Sequence, residues 1–149
     1  MVTRIRWVGL AAALALLLMA TALAGVAYAK IISGTPGNDY LLGTTKKDLI
    51  RGLEKDDYIR ALAGDDLLHG GAGDDVVRGG NGNDQIFPGE GPDIVLAGAG
   101  NDKIYARDAG SLDSIDCGGG FDKVETIHRD DRTLENCERT LGPRRGNIF

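Results

Sequence analysis

From Gly34 the chain can be written in nines without a gap: GTPGNDYLL, GTTKKDLIR, GLEKDDYIR, ALAGDDLLH, GGAGDDVVR, GGNGNDQIF, PGEGPDIVL, AGAGNDKIY. Position six is aspartate in all eight units: Asp39, Asp48, Asp57, Asp66, Asp75, Asp84, Asp93 and Asp102. Position eight is aliphatic in all eight, from Leu41 to Ile104, and position four is glycine except at Lys46 and Lys55. A strict short period is the signature of a solenoid, in which one unit buries almost nothing alone and stacking creates the core.

The residue types give each unit its shape. Gly, Asn and Asp in the first six places make a turn, because glycine accepts positive φ and Asx side chains bond nearby backbone. The last three places, with a branched residue in the middle, make a short strand. Position eight points to one face, and positions seven and nine point to the other. Two units per coil predict an all-β, right-handed parallel β-roll with two parallel sheets. Alternate units then share a side, which lines Asp39, Asp57, Asp75 and Asp93 along one edge and Asp48, Asp66, Asp84 and Asp102 along the other. Carboxylates one coil apart repel unless a positive charge lies between them. An oxygen-only donor set of carboxylates and turn carbonyls favours Ca²⁺ over zinc or copper.

GGAGDDVVR at 70–78 and GGNGNDQIF at 79–87 resemble the RTX calcium-binding nonapeptide GGxGxDxUx; AGAGNDKIY and ALAGDDLLH are similar to it with small departures. The resemblance implies several Ca²⁺ ions held between successive same-side turns, with the position-six aspartate as a ligand beside main-chain carbonyls. Carried over residue by residue, it points first to pairs Asp66 with Asp84, Asp84 with Asp102, and Asp75 with Asp93. Asp39, Asp57 and Asp122 complete the metal set. Lys46 and Lys55 depart from the pattern: each brings a Cβ penalty where φ is positive and a cation beside the sites that use Asp48 and Asp57.

The ends of the chain differ from its body. Arg4 and Arg6 precede a long apolar run, and Ala27-Tyr28-Ala29 stands before Lys30, the pattern of a secretory signal peptide over residues 1–29. Without it, 120 residues carry 15 basic and 22 acidic groups, a net charge of −7. That balance predicts cations as partners, and neither nucleic acid nor stable membrane insertion after cleavage. Residues 106–116 read as a unit with two extra residues, with Asp113 and Ile115 in the key places, and 117–125 return to phase with Asp122 and Val124. Residues 126–149 are expected to form a C-terminal cap and tail, which completes the division 1–29 signal peptide, 30–125 roll, 126–149 cap. Export makes a disulfide between Cys117 and Cys137 the expected state of the two cysteines.

These features define a secreted, extracellular calcium-binding protein whose folding depends on the ion. An adhesive or structural module is the alternative, because outward positions seven and nine hold Tyr40, Leu49, Tyr58, Leu67, Val76, Ile94, Leu42, Phe87, Leu96 and Tyr105. A small secreted hydrolase is the third reading. It has only His69 and His128 as neutral-pH bases and neither G-x-S-x-G nor H-E-x-x-H, so the chain is expected not to be an enzyme.

Overall fold

The computed structural model describes residues 30–107, 111–126, 132–135 and 137–141, so the proposed signal segment, His128 and the C-terminal tail lie outside the described residues. The architecture is a parallel β-roll. One sheet contains β1 (Lys30–Ser33), β3 (Asp48–Glu54), β5 (Leu67–Ala72), β7 (Gln85–Glu90), β9 (Lys103–Ala106), β11 (Lys123–Thr126) and β13 (Glu138–Leu141), in that order. The other contains β2 (Tyr40–Leu42), β4 (Tyr58–Ala63), β6 (Val76–Asn81), β8 (Ile94–Ala99), β10 (Ser114–Asp116) and β12 (Arg132–Glu135). The chain alternates between sheets at every unit, and all pairings are parallel.

Register follows from the repeat. Partners lie 18 residues apart, as in Ile50 with Leu68 and Val77 with Val95, so two units make one coil. The two extra residues of the irregular unit change the interval to 20 in both sheets, pairing Ile94 with Ser114 and Lys103 with Lys123. The position-eight residues Ile50, Ile59, Leu68, Val77, Ile86, Val95, Ile104, Ile115 and Val124 are buried in a narrow core. Position one also faces that core: Ala61, Ala97, Ala106 and Cys117 are buried there.

The strands are longer than a three-residue reading of each unit predicts. β4 to β8 each have six residues, because the ladder resumes after a step at position one and continues through positions two and three. Only positions four to six remain as the turn. Resuming the ladder forces position two into positive φ, which glycine supplies at Gly80 (φ 116) but Leu53 (φ 105) and Leu62 (φ 84) must adopt against their Cβ. Lys55 (φ 72) incurs the expected penalty at position four, whereas Lys46 is not among the positive-φ residues.

The segment after residue 126, expected as a cap, contributes a strand to each sheet. β12 lies beside β10 and β13 beside β11, with an irregularity between Ser114 and Asp116. The stack is therefore continued in kind at this end. Cys117 and Cys137 form the expected disulfide, with Cα atoms 5.5 Å apart. It ties the buried position-one column to the residue that precedes β13.

Two measurements test this description. Leu53 is 45% exposed, so Leu53→Gly sacrifices little burial and relieves its backbone; it should stabilise the folded state by about 1 kcal/mol in denaturant titrations. Reduction of the disulfide should increase amide exchange first in β11 to β13, because each coil contacts only its neighbours. Uniform loss of protection along the whole stack would contradict this order.

Candidate metal centre

The position-six aspartates form two continuous ladders inside the turns. The Asp48 N–H donates to Asp66 Oδ1 at 2.7 Å, Asp66 to Asp84 at 2.9 Å, Asp84 to Asp102 at 2.8 Å and Asp102 to Asp122 at 2.8 Å. On the opposite edge Asp39 donates to Asp57, Asp57 to Asp75 and Asp75 to Asp93, each at 2.8 Å, and Asp93 to Asp113 at 3.1 Å. The expected pairs Asp66–Asp84, Asp84–Asp102 and Asp75–Asp93 are thus direct neighbours on the expected edges. Nine of these residues, from Asp48 to Asp122, are at most 2% exposed, a level at which a carboxylate needs a partner for each oxygen.

One oxygen of most of them has none. Oδ2 of Asp57, Asp66, Asp75, Asp84, Asp102 and Asp122 is buried and accepts no hydrogen bond. Its surroundings are oxygen-rich. A Cβ placed on Gly52 would overlap both Asp57 Oδ2 and the carbonyl of Gly70 one coil on. At Gly70 it would meet Asp75 Oδ2 and the Pro88 carbonyl, and at Gly79 Asp84 Oδ2 and the Ala97 carbonyl. A carboxylate oxygen and a carbonyl oxygen face one small space with no hydrogen between them. Among the described residues no three acidic, histidine or cysteine side chains converge, so any ion here takes main-chain carbonyls as well. Hard oxygen donors of mixed charge suit a hard divalent cation, and the residues present fit calcium.

The first two units differ for a local reason. Asp39 Oδ2 accepts the Thr35 N–H at 2.5 Å and its hydroxyl at 3.0 Å. Asp48 Oδ2 accepts the Thr44 N–H at 2.6 Å and hydroxyl at 3.0 Å. Threonine at position two answers these carboxylates from within the chain. Asp39 was expected among the ion ligands; Thr35 bonds its Oδ2 from within the same turn.

Sequence reasoning put Asp113 at the aspartate place of its unit but not among the ligands, and Asp113 completes the ladder that runs from Asp39 to Asp93; it passed over the threonines, whose Gly-Thr start was the available signal. It also missed an outer ladder at position five. Asp65 Oδ1 accepts the Asn83 N–H, Asn83 accepts Asn101, and Asn101 accepts Phe121, at 2.8 to 2.9 Å. An Asx residue every 18 positions would have revealed it.

Burial pushes the carboxyls of Asp66, Asp75, Asp84 and Asp102 up to about 6. The N–H from the preceding aspartate opposes that rise, and the preceding carboxylate adds to it. Asp57 is raised for the same leading reason. His69 is lowered by burial and by Arg51, and its ring stacks on Phe87 at 4.8 Å rather than standing free on the surface.

A parallel β-roll with carboxylates stacked against carbonyls in its turns is a cation-binding solenoid. The RTX calcium-binding nonapeptide repeat matches in four copies over residues 33–54, 51–86 and 87–109, just over half of the sequence, and the chain belongs to that family of calcium-binding repeat proteins. No curated protein and no solved structure matches the chain.

The raised carboxyls fix the sign of a pH effect. Their folded values exceed the ordinary carboxylate value of about 3.9, so without a cation the folded chain takes up protons between about pH 6 and pH 4. That stabilisation is fully present below the ordinary value and is lost as pH rises through 6. In excess chelator the protein should therefore hold more β structure at about pH 5 than at pH 7 by circular dichroism. Identical spectra at the two pH values would remove the argument.

Proposed function

We propose that this is a secreted protein in which calcium binding and folding of the roll are one event. The observation that carries the reading is the row of buried, unanswered Oδ2 atoms, with those of Asp57, Asp75 and Asp84 beside a carbonyl from the next coil. Asp57, Asp66, Asp75, Asp84, Asp93, Asp102 and Asp122 supply the carboxylates, and position-one carbonyls such as those of Gly70, Pro88 and Ala97 supply neutral oxygens. The ion, when bound, cancels the charge that successive turns would otherwise concentrate. The chain's own part is to hold each carboxylate by an N–H from the previous coil, so that one oxygen is fixed and the other faces the carbonyls.

Without the ion, an acidic and glycine-rich chain with few aromatics has little apolar surface to offset ordering entropy. With it, binding stabilises only the ordered state. Affinity near 10⁻⁴ to 10⁻³ M, roughly that of extracellular modules, makes the outside of the cell the place where the fold forms. The signal-like segment 1–29 and the disulfide agree with export, and repeats of this family typically belong to secreted proteins. The chain acts in this reading as a calcium-binding roll over 30–125 with a C-terminal segment over 126–149, and not as an enzyme.

Calcium titration at neutral pH should produce a cooperative gain of β signal that chelator reverses. A spectrum unchanged between millimolar calcium and chelator would defeat coupled folding. Asp84→Ala should weaken calcium binding in calorimetry more than Asp39→Ala or Asp48→Ala, whose carboxylates are already held by Thr35 and Thr44. Equal losses would mean that the threonines yield to the ion.

A further inference from the structure

The outer faces of the two sheets differ although the repeat is the same. On the β3-β5-β7-β9 face, position nine carries Arg51 and then His69, Phe87 and Tyr105, whose three rings stack at 4.8 and 4.5 Å. On the β4-β6-β8 face the same column carries Arg60, Arg78 and Leu96 in direct register. Position two beside it is Leu62, then Gly80, then Gly98. The two glycines leave the strand surface bare where Leu62 stands up, and the result is an open hollow of about 270 Å³ lined by these six residues and Gly79.

Its electrostatics are unbalanced. Arg60 and Arg78 are cross-strand neighbours, an arrangement of like charges that is destabilising by itself. In an acidic chain each could pair with a carboxylate, yet the only ion pair among the described residues is Arg107 with Glu125, on the other sheet. Arg78 is also held in place, its guanidinium 5.7 Å from the Tyr58 ring centroid. Two guanidinium forks side by side suit a carboxylate, which they engage with paired, charge-assisted hydrogen bonds. Leu62, Leu96 and the glycine floor beside them suit a short apolar stem. We infer that this hollow binds a small organic carboxylate, with its oxygens on Arg60 and Arg78 and its alkyl part over Gly80 and Gly98.

The test uses the full chain, calcium-loaded, titrated with hexanoate while backbone amide shifts are followed. Hexanoate should perturb residues 60–62, 78–80 and 96–98 saturably. Acetate lacks the stem and hexanol lacks the charge, so each should bind about tenfold or more weakly. Arg60→Gln with Arg78→Gln should weaken hexanoate binding by a similar factor and leave the calcium titration unchanged, since neither residue lies in the turns. Hexanol binding as tightly as hexanoate would overturn the role of the arginines, and this arm needs no variant. Acetate matching hexanoate would overturn the role of the apolar floor. Shifts confined to the aspartate turns would show an anion following calcium, and would overturn the site itself.

Discussion

Everything in this roll rests on how a carboxylate is held between two turns. A buried aspartate accepts one N–H from the coil before it and turns its second oxygen toward a carbonyl of the coil after it. The first contact is a charge-assisted bond that fixes spacing. The second is an oxygen facing an oxygen, which is unfavourable until something positive enters. The same side chain therefore supplies both the alignment of the stack and the oxygen that a cation between the turns would meet.

Much of this was legible in the chain because the period is the structure. Asp at every ninth place and an aliphatic residue two further on give the two sheets, the inward column and the two acidic edges. What the period hides is what differs between units. Thr35 and Thr44 look like ordinary turn residues until their hydroxyls are seen on Asp39 and Asp48. Leu53 and Leu62 look like one more apolar residue until the resumed ladder forces positive φ on them. Residues 132–141 show no repeat at all, yet parallel strands form there, because backbone pairing with β10 and β11 requires no particular side chain.

Position one shows how a small place can carry several jobs. Its Cβ points into the core, so Ala61 and Ala97 fill space there and Cys117 can place its sulfur for the bond to Cys137. Where it is glycine, as at Gly52, Gly70 and Gly79, the same volume belongs to the carboxylate and the next carbonyl. Alanine and glycine along this column exchange packing for oxygen without altering the register.

The extra pair of residues between Ala106 and Asp113 alters the pairing interval from 18 to 20 on both sheets, and both aspartate ladders continue across it. The lengthened unit thus leaves the strands on either side of it in parallel register on both sheets. The two ladders therefore tolerate a change in unit length without losing the alignment of their carboxylates, a latitude that a strict nonapeptide period does not advertise.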